Sequence, residues 1–273
     1  MSPRPGATVS FTDSAVPMPA ELFPCRTIRG REGSRGKTAA ANLSSSHRLI
    51  SKADIMQNLF DLTGKRALIT GGSQGIGYLL AGGLGRHGAG IIVSATTTEN
   101  AERAAEQLRA EGLDEQGVSF DITQGAKVSR TIEQLEQQQG PIDILINNAG
   151  IQRRHPLLTF PEADWDEIIN VNQKEVFLTS QQVAKRMVTR RRGKIINIGS
   201  MQSELARPNI TPYAAAKGAV KMLTRGMCAE LAPYNIQVNG IALGYFKTEM
   251  TTTLSIGSFI SARTPGAGAI LRN

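Results

Sequence analysis

Tyr213 and Lys217 stand four residues apart in the run Tyr213-Ala-Ala-Ala-Lys217. In a helix, that spacing puts a phenol and an ammonium on one face. A cation beside a phenol stabilises the phenolate and lowers a pKa that is ordinarily about 10. Tyr213 is therefore a candidate general acid and base near neutral pH. Taken alone, the spacing is common by chance and is more often a solvated surface couple. Thirteen residues upstream, Ser200 follows the apolar run Ile195-Ile-Asn-Ile198. A hydroxyl just beyond a strand could donate to a carbonyl oxygen as charge develops there. The plainer role for such a serine is a turn or a cap. Asn172 falls inside a predicted helix, where asparagine is mildly unfavourable and invites a hydrogen-bonding role. An exposed helix residue is the alternative.

A second kind of chemistry sits near the start of the folded part. The run Ala67-Leu-Ile-Thr70 leads into Gly71-Gly-Ser-Gln-Gly-Ile-Gly77. Gly71 and Gly75 permit a tight turn that brings backbone N–H groups close to a ligand. Gly77 allows the next helix to pack close to the sheet. The N-terminus of that helix would face a pyrophosphate. The loop follows a strand and opens a helix, so a dinucleotide site is expected.

An acid ending the second strand would bond a ribose 2′-hydroxyl, but this strand ends in Ser94-Ala-Thr-Thr97. The missing acid favours NADP(H) over NAD(H), although Gln74 supplies no cation for a 2′-phosphate. Asp121, after the third strand, either caps a turn or meets the adenine amino group.

These residues need a frame that gathers them at one edge. From Met56 onward, predicted strands alternate with predicted helices. The strands are Arg66–Thr70, Gly90–Ser94, Val118–Phe120, Ile142–Asn147, Lys194–Ile198 and Gln237–Ile241. Helices are expected to start near Gly75, Asn100, Gln124, Pro161 and Pro212. The alternation implies an α/β, Rossmann-type, doubly wound parallel sheet of six strands. In such a sheet, ligands bind beyond the carboxyl ends of the strands, where Gly71, Asn147 and Ser200 all fall.

Composition narrows the class further. Residues 1–55 are rich in Pro, Ser, Arg and Gly without an apolar period, and are expected to be a disordered extension, with Met56 as the natural start. Prolines and acids there argue against a targeting peptide. Residues 251–273 are expected to form an irregular tail after a catalytic domain spanning 56–250. The net charge is +8, and half of it lies in residues 1–55. The densest basic run, Arg190-Arg191-Arg192, is expected at a helix end, so no nucleic-acid partner is expected. No apolar window reaches membrane-spanning length, and Cys25 and Cys228 lie in segments of different character. No membrane association, no metal and no structural disulfide are expected, and a reducing, cytoplasmic location fits.

Taken together, TGGSQGIG at 70–77, NNAG at 147–150, Asn172, Ser200 and YAAAK at 213–217 closely resemble the short-chain dehydrogenase/reductase family, from about Leu59 to Met250. The resemblance implies an NAD(P)-dependent enzyme moving a hydride between a nicotinamide and a carbonyl or alcohol carbon. It implies that Tyr213 transfers the proton and Ser200 polarises the carbonyl. Lys217 would lower the tyrosine pKa and hold the nicotinamide ribose, and Asn172 would anchor a water relay. Gly71, Ser73, Gln74, Gly75, Ile76 and Gly77 would cradle the phosphates. Asn148, Ala149 and Gly150 would line the adenosine side, and Thr248 would meet the nicotinamide amide.

GIQRRHP at 150–156, SMQSEL at 200–205 and the run from Ile210 to Ala232 resemble the branch of that family that interconverts gluconate and its 5-keto form. Arg154, Ser200, Gln202 and Tyr213 would then face a small sugar-acid substrate, with Arg154 in the basic cluster Arg153-Arg154-His155. A ketoacyl thioester is the alternative substrate class, and a truncated, non-catalytic dinucleotide-binding remnant is the alternative of another kind. The family usually continues to a seventh strand and assembles into homo-oligomers. That strand is expected to be missing here, and Leu243 stands where the family usually has proline.

Overall fold

A computed structural model describes residues 59–244 apart from Asp121, together with Phe246 and Thr248. The expected extension (1–55) and tail (251–273), and the candidate Asp121, lie outside the described residues.

Among the described residues, six strands form one parallel sheet: β1 Arg66–Ile69, β2 Gly90–Ala95, β3 Glu115–Ser119, β4 Ile144–Asn147, β5 Gly193–Ser200 and β6 Ile236–Leu243. Their spatial order is β3-β2-β1-β4-β5-β6. The chain winds outward from β1 in one direction, then returns and continues from β4 in the other. The gap between β1 and β4 is thus the point where strand order reverses, and there the loops after adjacent strands diverge and leave a crevice.

The strands are continuous apolar runs because both faces are covered. Ala67, Ile69, Ile91, Val93, Ile144 and Ile146 point to one face. There they meet Ala81 of helix α1 (Gly75–Arg86) and Ala104, Ala105 and Leu108 of α2 (Thr98–Ala110). Leu68, Ile92, Leu145 and Ile195 alternate onto the other face. They meet Val128, Ile132 and Leu135 of α3 (Gly125–Gln139) and Val183 and Met187 of α5 (Glu175–Arg190). The period of two along each strand sorts neighbouring residues into two cores.

Three expectations need correcting. The third strand was expected at Val118–Phe120 but runs over Glu115–Ser119, with Ile91 opposite Glu115. It lies at the sheet edge, where backbone pairing recruits polar residues that no apolar pattern marks. The fourth strand begins at Ile144 rather than Ile142, although Asp143 still donates to Arg66 O and accepts from Lys194 N.

The helix expected from Pro161 is not continuous. It consists of α4 (Glu162–Ile169), a π-helical turn over Asn170–Lys174, and α5. The long helix α6 (Thr211–Leu231) starts one residue before the expected Pro212.

The basic run at the end of α5 is bound within the molecule. Arg190 pairs with Glu136 at 3.0 Å, Arg191 donates to Pro233 O at 2.7 Å, and Arg192 lies 3.6 Å from Asp143. Among the described residues, no helix is long and apolar enough to cross a membrane.

Candidate active site

A cleft of about 720 Å³ opens at the carboxyl ends of the strands, over the reversal of strand order. It is lined by the loop after β1 (Gly71 and Ser73–Gly77), the end of β2 (Ser94–Thr96) and the loop after β4 (Asn148–Ile151). Ser200, Tyr213, Lys217 and Thr248 complete it.

Its floor is a clasp between β1 and β4. Asn148 Nδ2 donates to the carbonyls of Thr70 and Gly71, both at 3.0 Å. In return, the backbone N–H groups of Asn148 and Ala149 donate to Thr70 Oγ1 at 3.0 and 3.1 Å. The approach is so close that a Cβ on Gly71 would lie 2.9 Å from Ala149 Cα.

The dinucleotide reading can be tested on this geometry. Gly71 and Gly75 take φ of +61° and +55°, where a side chain is strained. α1 starts without a side-chain cap from Gln74. Its first N–H groups, which Gln74 does not cap, stand at the cleft. Gly75 faces Thr248, whose Cγ2 would be 3.8 Å from an added Cβ. A pyrophosphate fits this cradle: it supplies the acceptors that the helix end lacks, and the glycines leave it room.

The catalytic candidates converge on the other half of the cleft. Lys217 is 4% exposed, and its Nζ donates to Ile198 O at 2.7 Å. That Nζ lies 5.9 Å from the centre of the Tyr213 ring. The i, i+4 spacing on α6 thus delivers both groups to one place, and they are not a solvated pair. Ser200 Oγ accepts from Gln202 N at 3.1 Å, while Ser203 Oγ accepts from Ser200 N at 3.3 Å. Ser200 is therefore a cap as well as a cleft residue. With its oxygen held as acceptor, its own hydrogen is left to donate.

Asn172 is fully buried in the π-helical turn. Its Oδ1 accepts from Ile151 N at 2.7 Å and its Nδ2 donates to Ile151 O at 2.8 Å. The amide imitates a peptide group and pins the loop after β4. A π-turn inserts an extra residue into a helix and re-aims its side chains. A continuous helix would give Asn172 another orientation.

Arg154 and Gln202 are half-buried and are not among the cleft-lining residues. Arg153 pairs with Glu167 at 2.9 Å, and His155 with Asp164 at 2.6 Å. Arg154 donates to Gln152 Oε1 at 2.7 Å, a neutral partner.

Two residues that sequence reasoning passed over have clear places. Thr70 is the hinge of the β1–β4 clasp. Glu175 is fully buried beneath the site. Its signal was present: Glu175, Thr179, Val183 and Met187 recur every four residues, which places a carboxylate on a helix's buried stripe.

Comparison with known proteins gives the family. The family model for short chain dehydrogenases matches residues 65–257. The 5-keto-D-gluconate 5-reductase of Escherichia coli K12 is 57% identical over 216 residues, covering 78% of this chain and 85% of that protein. The gluconate 5-dehydrogenase of Gluconobacter oxydans is 50% identical over 197 residues, covering 72% and 77%. Among solved structures, a gluconate 5-dehydrogenase from Burkholderia cenocepacia, in complex with NADP and tartrate, superposes with a TM-score of 0.71. It is 51% identical, over 73% of this chain and 78% of that one. The protein belongs to the short chain dehydrogenase family and is an NAD(P)-dependent oxidoreductase.

Proposed function

We propose that this enzyme interconverts a sugar acid and its keto form, of the gluconate and 5-keto-gluconate type, with Tyr213 as acid and base. The observation that carries the reading is the convergence of Ser200, Tyr213 and Lys217 on the glycine-loop cleft. The substrate class rests on the identity with sugar-acid enzymes.

Bound in the cleft, the nicotinamide would give or take the hydride. The chain's own residues do the rest. In reduction, the Ser200 hydroxyl donates to the substrate carbonyl oxygen and Tyr213 delivers the proton that completes the alcohol. In oxidation, Tyr213 takes that proton back. Lys217 gives one N–H to Ile198 O and keeps two, which can hold the nicotinamide ribose. Its charge stabilises the tyrosine phenolate. Asn172 acts through Ile151, keeping the loop after β4 in place. Gly71, Ser73–Gly77, Asn148–Gly150 and Thr248 would seat the dinucleotide.

The end of β2 supports NADP(H) as the preferred partner, because Ser94, Ala95 and Thr96 put no carboxylate there. Thr96 is exposed at that edge, so Thr96→Asp adds a negative charge without disturbing the core. Juxtaposed like charges cost several kcal/mol, so kcat/KM with NADPH should fall about 100-fold. The value with NADH should hold or rise. An equal loss with both cofactors would remove the 2′-phosphate from this edge.

The substrate is tested by following NADPH oxidation with 5-keto-gluconate, a neutral ketose and a ketoacyl thioester. A charge-assisted hydrogen bond contributes about 1.5–3 kcal/mol, so kcat/KM should favour the sugar acid over the neutral ketose by at least about tenfold. We further propose that Arg154, in the basic cluster of the loop after β4, meets the sugar-acid carboxylate when substrate is present. Gln202, which orders Ser200, would flank it. Arg154→Ala should raise KM for 5-keto-gluconate about tenfold and leave the neutral ketose unchanged. Equal effects on both would show that Arg154 only supports the loop.

A further inference from the structure

Three buried charged side chains occur among the described residues: Asp143, Glu175 and Lys217. Asp143 belongs to the opposite end of the sheet, where it accepts from Arg66 N and faces Arg192. Glu175 and Lys217, of opposite sign, are enclosed at the catalytic end with exposures of 0% and 4%. A lone buried charge is strongly unfavourable, whereas an opposite charge nearby offsets much of that cost.

The surroundings of Glu175 are built for a carboxylate. Thr179 Oγ1 donates to its Oε1 at 3.2 Å. Thr70 Oγ1 already accepts from Asn148 N and Ala149 N, so its hydrogen is directed elsewhere, and it stabilises the Glu175 carboxylate. Oε2 is buried without a direct hydrogen-bond donor among the described residues, so the stabilisation left to it is electrostatic. Asn172 Oδ1, one turn before Glu175, and Lys217 Nζ both border Gly150, 3.3 and 3.8 Å from where its Cβ would lie, so the turn that leads into Glu175 meets the buried ammonium there and the opposite charge is at hand to supply that stabilisation.

We propose that Glu175 is the buried counter-ion of Lys217, a positioning residue that keeps the lysine charged behind the Tyr213 phenol. The proposal rests on the reading of Tyr213 and Lys217 as the acid–base pair. Burial pushes the Lys217 ammonium down to about 8, and Glu175 opposes that fall. Burial pushes the Glu175 carboxyl up to about 7, against Thr70, Thr179 and Lys217.

Other titratable groups on the surrounding elements do not compete. α6 brings Tyr213 besides Lys217; its Lys221 pairs with Glu204, and its Arg225, Cys228 and Glu230 are exposed. On α4, Asp164 pairs with His155 and Glu167 with Arg153, and Glu162 and Asp166 are exposed, as are Lys174 of the π-turn and Lys127 of α3. The neighbouring polar residues at the ends of β1, β4 and β5 are Thr70, Asn147 and Asn197, which do not titrate.

The sign follows from these values. Below about pH 7 the Glu175 carboxyl is protonated and Lys217 needs no help to stay charged. Above that, the carboxylate holds the ammonium until the lysine loses its proton. Glu175→Gln removes the charge and keeps the shape. Its kcat/KM should match wild type at pH 6, and its alkaline limb should move down by about one unit, a loss of about tenfold at pH 8.5. NADPH affinity at pH 6 should be unchanged. An unshifted limb, or a loss equal at every pH, would overturn the proposal.

Infrared titration of the wild-type protein with isotope-labelled glutamate gives a readout that survives a folding failure of the variant. A buried carboxyl should ionise near neutral pH and move upward in Lys217→Met. A carboxyl that stays protonated at pH 9 would overturn the proposal. Tyr213→Phe separates the two readings. Turnover retained in Tyr213→Phe overturns the acid–base assignment, and infrared titration then decides the ion pair. An inactive Tyr213→Phe with an unshifted Glu175→Gln limb overturns only the counter-ion.

Discussion

Tyr213→Phe is expected to lower kcat by about three orders of magnitude, the middle of the range for removing a positioned general acid–base. NADPH affinity should be retained. The substitution deletes one oxygen and leaves the ring, which is half-buried on α6 with Lys217 Nζ 5.9 Å from its centre. Lys217 keeps its bond to Ile198 O, and Ser200 keeps its cap to Gln202 N. The loss should appear in kcat. Binding is read by NADPH fluorescence and turnover by absorbance with 5-keto-gluconate. A variant that still turns over within tenfold of wild type would assign the proton to another group. A variant that loses cofactor affinity and kcat together would make the phenol a binding residue.

Gly77→Ala is expected to damage both stability and cofactor affinity, although alanine is ordinarily the better helix former by about 1 kcal/mol. A Cβ at Gly77 would lie 2.4 Å from Gly71 O and 2.5 Å from Asn148 Nδ2. Both atoms belong to the β1–β4 clasp, and Gly71 O is backbone, so relief requires α1 to move outward. Overpacking of this severity costs about 3 kcal/mol. For a domain of this size, that lowers the melting temperature by about 6–12 °C. The same movement withdraws the helix N-terminus from the pyrophosphate, so NADPH affinity should fall with it.

Gly83→Ala is the matched control, six residues along the same helix. Nothing lies within 4 Å of its added Cβ. It should raise stability by about 1 kcal/mol and leave NADPH affinity alone. If the two variants behave alike, helix propensity and not close packing governs α1. Calorimetry with and without NADPH distinguishes the cases.

The fold class was legible in the sequence, and so were most of the candidate residues that line the cleft. The strands are covered on both faces, so their apolar runs are uninterrupted and easily seen. Gly71, Gly75 and Gly77 announce the phosphate turn because only glycine tolerates the φ and the contacts found there. Tyr213 and Lys217 were legible because four residues along a helix is a local distance.

Tertiary structure decided the rest, where the deciding partner is remote in sequence. β3 takes its limits from pairing with β2, which no local pattern encodes. Asn172 acquires its role from Ile151, 21 residues away, through a π-turn that a regular helical period conceals. Thr70 bonds the backbone of Asn148 and Ala149 across a crossover of nearly 80 residues. Glu175 reads as one more charge on a surface helix until the fold buries it completely. A charge's meaning depends on the dielectric around it, and only the packed fold sets that dielectric.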